Sequence, residues 1–195
     1  MSPESVSPIA PANTALLVMD YQNGIFDRVS DGDALLAGAK RTIGLIRDRG
    51  GTIGYVRVGF ADGEAPTGTM GQRIGREAAA TMFHADSPAT QIHDEIAPQD
   101  GDIVVRKTRV GPFGTTDLDE QLRSRDVDTL ILAGISTSGV VLSTVRDAHD
   151  RDYRLIVLSD LCADPDPEVH QFLVERIFPR QGDVVTSAEL PALLG

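Results

Sequence analysis

A chain of 195 residues has the length of one domain, and with 41% apolar and 24% charged residues it is composed like an ordinary globular protein. Lysine and arginine number 18 against 29 aspartates and glutamates, and the resulting net charge of −11 repels phosphate backbones and anionic lipid, so neither nucleic acid nor membrane is an expected partner. A single cysteine, Cys162, excludes an internal disulfide and a cysteine-based zinc site.

Residues 1–13 hold three prolines and three serines. They have neither the basic nor the apolar stretch of a secretory signal, and read as a flexible tail ahead of a single domain, 14–195. No apolar run approaches the ~20 residues of a membrane helix. The expected location is the cytoplasm. Six short runs rich in Val, Ile and Leu follow, at 15–19, 53–58, 103–105, 130–133, 155–158 and 184–185. Each reads as a strand buried on both faces, because alternation is weak and the runs are short. Between them lie stretches of helical period. Residues 34–49 place Leu35, Ala39, Ile43 and Ile46 on one stripe, and 138–151 and 168–178 do the same. A short helix is expected over 117–125, and another near 71–81 within an otherwise irregular stretch, 60–98, whose length points to a functional or interfacial loop. Strand–helix alternation predicts an α/β fold: a three-layer, doubly wound, mostly parallel six-stranded sheet with helices on both faces.

In such a fold ligands bind beyond the carboxyl ends of the strands. Asp20, Tyr21, Gln22 and Asn23 follow the first strand, Lys107 and Arg109 the third, and a small-residue turn, 134–139, the fourth. An acid, a lysine and a helix N-terminus therefore converge on one edge. No G-x-G-x-x-G follows the first strand, which weakens a dinucleotide-binding reading. Arg109 is placed to hold a substrate carboxylate, Phe26 and Phe113 are candidates for core or pocket lining, and Ser138 is most simply a helix N-cap. A displaced serine nucleophile at Ser138 lacks an evident base, and Cys162 is expected to be a small buried hydrophobe.

Three pieces, in order and spacing, resemble the isochorismatase-like hydrolases, also called the cysteine hydrolase family: 16–26 (LLVMDYQNGIF), 107–113 (KTRVGPF) with Thr116 and Leu118 behind it, and 133–141 (AGISTSGVV) followed by Asp147 and Ala148. The likeness runs from about Thr14 to Thr186. It implies that Asp20 is the acid/base and Lys107 the family's lysine. It puts the nucleophile position on Val140, a side chain with no lone pair to attack with, and so excludes thiol chemistry there. It implies a non-proline cis peptide between Ile135 and Ser136, with backbone N–H groups near Val140 forming an oxyanion hole. It implies a homodimer or homotetramer and no cofactor. The metal site of nicotinamidases has no counterpart, since His84, His93, His149 and His170 form no cluster with an aspartate. The resulting expectation is an isochorismatase-like hydrolase acting on a small anionic substrate by Asp20 general acid/base chemistry, with Gln22, Phe26, Arg109, Phe113 and Ser138 as substrate-binding candidates. The alternative is an inactive member serving as a small-molecule binding protein or subunit.

Overall fold

The computed structural model describes residues 7–26, 29–75, 77–78 and 81–194. Six strands form one sheet: β1 (Thr14–Met19), β2 (Thr52–Val58), β3 (Ile103–Lys107), β4 (Thr129–Ile135), β5 (Arg154–Ala163) and β6 (Asp183–Val185). All pairings are parallel and the order is β3-β2-β1-β4-β5-β6. The chain runs outward from β1 to one edge, returns to β4 beside it, and runs to the other. Such a reversal of strand order opens a crevice at the carboxyl ends of the two central strands.

Side chains alternate across the sheet, so each central strand feeds two cores. Ala15, Leu17 and Met19 face one side, where they pack with Val141, Val145, Leu173 and Phe178. Leu16 and Val18 face the other, against the stripe Leu35, Ala39, Ile43 and Ile46 of helix α1 (Gly32–Asp48) and against Leu190 and Leu194 near the C-terminus. The first side carries three further helices: α3 (Leu118–Arg123), α4 (Leu142–His149) and α5 (Pro167–Phe172). Helix α2 (Thr69–Ile74) lies within the long stretch between β2 and β3.

Several boundaries depart from the periodicity. The helix expected over 138–151 is a wide π-type turn, Thr137–Val141, followed by α4. That over 168–178 changes pitch twice, through Leu173–Ile177 and Phe178–Arg180, where Pro179 removes a donor. The helix expected near 71–81 starts earlier, at Thr69, and stops at Gly75, whose φ of +82° turns the chain away; residues 76, 79 and 80 lie outside the described residues. Strand β5 continues five residues beyond its apolar run. Where the tail was expected, Ile9 is buried and pairs with Leu194, and Asn13 donates its side-chain amide to the Asp126 carbonyl. The rest of that tail, 1–6, lies outside the described residues.

Candidate active site

β1 ends at Met19, and Asp20 follows with φ +58°, a left-handed conformation that aspartate tolerates better than most residues. Its N–H still donates to Val56 of β2, so the backbone is held while the side chain turns off the sheet. Lys107, the last residue of β3, is opposite Val58 in register and reaches across β2. Lys107 Nζ lies 2.9 Å from Asp20 Oδ2, and both side chains are almost fully buried, 3% and 8% exposed. The ammonium also donates to the Arg109 carbonyl at 3.3 Å. Asp20 Oδ1 is buried and has no hydrogen-bond partner among the described residues. Burial raises the Asp20 pKa above the ordinary carboxylate value, and Lys107 lowers it by less.

These groups line a cavity of about 230 Å³. Its second wall is the turn after β4. The Ile135–Ser136 peptide bond is cis, where the resemblance implied one. Ile135, Ser136, Gly139 and Val140 all line the cavity, and Val140 is buried. Gly139 packs close to Ser136: a Cβ there would stand 2.7 Å from Ser136 Oγ, and the serine side chain would have to rotate away. Arg109 and Val110 form a rim. The remaining lining is apolar and includes Ile25, Val58, Met70, Ile74, Phe83 and Pro165. The site thus combines one buried ion pair with an apolar enclosure, an environment in which a carboxyl group can exchange a proton with a bound molecule.

The Isochorismatase domain model matches residues 14–189. The chain belongs to the isochorismatase family. It is 34% identical over 176 residues to the uncharacterized isochorismatase family protein YwoC of Bacillus subtilis, covering 90% of this chain and 91% of that one. It is 32% identical over 218 residues to the ureidoacrylate amidohydrolase RutB of Methylobacterium radiotolerans, covering 99% and 84%. Among solved structures, a cysteine hydrolase from Pseudomonas syringae pv. phaseolicola superposes with a TM-score of 0.90 at 28% identity, covering 99% of this chain and 98% of that one.

Within this isochorismatase-family fold, the structure brings Asp20, Lys107, Arg109, Ile135, Ser136 and Val140 to one cavity and places four other candidates elsewhere. Gln22 is fully engaged in holding the backbone: Nε2 donates to the Val58 and Thr90 carbonyls at 2.8 and 2.7 Å, and Oε1 accepts from the Val58 N–H at 2.8 Å. It has no group free for substrate. Phe26 packs edge-on against Tyr21 and His93, and lines a separate depression. Phe113 is core, under the Arg151 guanidinium and beside Tyr153. Ser138 is not the N-cap: it lies inside the Thr137–Val141 turn, and its N–H donates to Asp164 Oδ2 at 2.7 Å. Cys162 is buried in the core, its Sγ 3.9 Å from the Leu132 carbonyl, and burial pushes its thiol up to about 12. Arg106 pairs with Glu64 outside the cavity lining.

The periodicity left Met70, Ile74 and Phe83 within an irregular stretch, yet they cap the cavity. Their only local signal is the four-residue spacing of Met70 and Ile74, one turn of a helix. A larger cleft, about 450 Å³, lies between α1 and the end of β5, and holds neither Asp20 nor Lys107.

Proposed function

We propose that this isochorismatase-family protein is a hydrolase that acts on a small anionic substrate by Asp20 general acid/base chemistry, without a thiol nucleophile. The observation that carries this reading is the Asp20–Lys107 pair at 2.9 Å, closed inside an apolar cavity with one carboxylate oxygen unpartnered. That oxygen, not engaged by Lys107, is where the acid form carries its proton toward a bound molecule. Raised above the ordinary range, Asp20 holds its proton to higher pH than an exposed aspartate and can deliver it to a leaving oxygen or nitrogen. Water completes the hydrolysis. Lys107 holds Asp20 in place and, with Arg109 at the rim, supplies the positive charge that favours an anionic substrate. Val140 stands at the nucleophile position, where its isopropyl group has no lone pair. The backbone around Ser136 and Val140, which lines the cavity, is where the resemblance assigns donors for developing negative charge. A carboxylate substrate also suits the relative named for ureidoacrylate, itself a carboxylate.

The test is turnover on a panel of isochorismate, small amides and N-carbamoyl amino acids, with Asp20→Asn beside the wild type. Wild-type turnover of one class is expected, with a loss of about 100-fold or more in the variant, the usual weight of a positioned acid/base. Turnover that survives Asp20→Asn overturns the role of Asp20.

Val140 favours a second reading, a binding protein that does not turn its ligand over. A panel member that raises the melting temperature and is recovered unchanged supports it.

A further inference from the structure

The turn that walls the Asp20 cavity is bonded to itself, the Leu142 N–H donating to the Thr137 and Gly139 carbonyls. The N–H groups of Gly139 and Val141 donate to the Ser136 carbonyl at 3.2 and 3.3 Å, at the long end of hydrogen-bond distances. Two further bonds come from another part of the chain. Asp164 Oδ2 accepts the Ser138 N–H at 2.7 Å, and His170 Nδ1 meets the hydroxyl of the fully buried Thr137 at 2.8 Å.

The local structure explains why both partners arrive there. Strand β5 runs on until Ala163 stands opposite Ile135, which delivers Asp164 beside the turn. Asp166 then caps α5, accepting from the N–H groups of Glu168 and Val169. His170 donates its N–H to the Asp166 carbonyl, one helical turn on, and its ring faces Thr137. Neither Asp164 nor His170 lines the Asp20 cavity; both line the larger cleft on the other side of the turn. A substrate beside Asp20 therefore does not touch them.

We propose that Asp164 and His170 are positioning residues that clamp the turn carrying Ser136 and Val140, and so fix the wall that faces Asp20. The inference rests on the reading of the Asp20 cavity as the reaction site. Asp164 fixes the turn through a charge-assisted bond to its backbone, and His170 fixes it through a side chain locked in the core. Two anchors on adjacent residues define both the height and the tilt of the turn, which one anchor cannot do. Displacement of a positioned group by 1 Å is enough to lower a rate about 100-fold, so the clamp need yield only slightly to matter.

The test uses Asp164→Ala, His170→Phe and Thr137→Val in the full chain. Asp160→Asn serves as a control, because that aspartate bonds Ser187 and not the turn. Backbone hydrogen exchange is read first, since it needs no substrate. Exchange is expected to speed up at 136–142 in Asp164→Ala and His170→Phe, to stay unchanged elsewhere, and to be unaltered in Asp160→Asn. On whichever panel substrate the wild type consumes, kcat should fall about 10-fold in Asp164→Ala and His170→Phe with KM nearly constant, a loss within the range of misplaced reacting groups. His170→Phe with Thr137→Val should be no worse than His170→Phe alone, because both remove the same bond. Unchanged exchange in the turn, exchange raised throughout the chain, or additive losses in the double variant would overturn the clamp. If no panel member turns over, the catalytic reading fails by itself and the exchange comparison still decides the clamp.

Discussion

Asp20 is pulled two ways. Burial favours its neutral form and the Lys107 ammonium favours the carboxylate, and the first is the larger. The sign for activity follows. An acid works while it keeps its proton, so a rate that depends on protonated Asp20 falls as pH rises through its raised pKa. Lys107→Met removes the influence that lowers that pKa, so the alkaline limb of kcat/KM should move to higher pH. The variant should remain folded, because an Asp20 left without its cation is neutral when protonated and leaves no uncompensated charge behind. A limb that moves to lower pH, or stays fixed, would remove Asp20 as the titrating acid. The places of Asp20 and Lys107 were legible in the sequence because one follows a strand and the other ends one, each inside a recognisable stretch. Gln22, Phe26 and Ser138 fall outside the cavity, and Phe113 takes the core half of its two readings, for a common reason: a motif says where a residue stands along the chain, not which way its side chain turns. Gln22 illustrates this. Four residues before Phe26 and two after Asp20, it faces neither substrate nor solvent but three backbone groups.

Those three bonds matter at the scale of elements. Gln22 follows β1, Val58 ends β2, and Thr90 belongs to the long connection from β2 to β3, so one side chain ties three segments together behind the cavity. Gln22→Ala leaves a buried N–H and two buried carbonyls with fewer partners and should cost about 3 kcal/mol, within the range for breaking a buried hydrogen-bond network. Urea unfolding checks it: a loss of unfolding free energy under about 0.5 kcal/mol, the size of an ordinary surface substitution, contradicts the role. The strands themselves were legible to within a few residues, since runs buried on both faces cannot hide their composition. β5 was the exception. Its apolar run stops at Leu158, but pairing continues to Ala163 past Ser159 and Asp160. Asp160 is exposed there and bonded through both oxygens to Ser187, and the pairing register with β4 shifts between Leu132 and Gly134. Periodicity cannot anticipate a polar residue satisfied by a partner 27 positions away.

For the whole molecule, the alternation of strands and helices was enough to read a doubly wound sheet, and the reversal between β1 and β4 then dictates where the cavity opens. What alternation does not encode is how the cavity is closed. Part of the closure comes from Met70, Ile74 and Phe83, and part of its lining stays exposed: Val110 is 44% accessible beside Arg109. We propose that this chain assembles as a homodimer or homotetramer, in line with its resemblance, and that the rim around Val110 contributes to the covered surface. Light scattering on the eluting protein should then give a multiple of 20.9 kDa. The melting temperature should rise with protein concentration, because association stabilises the folded chain by mass action. Val110→Asp places a charge on that rim, and a charge is desolvated at an interface but harmless on a free surface. If the rim is covered, the variant shifts toward the single-chain mass and loses the concentration dependence. A wild type that elutes at 20.9 kDa at every concentration leaves the chain a monomer and its cavity open on that side.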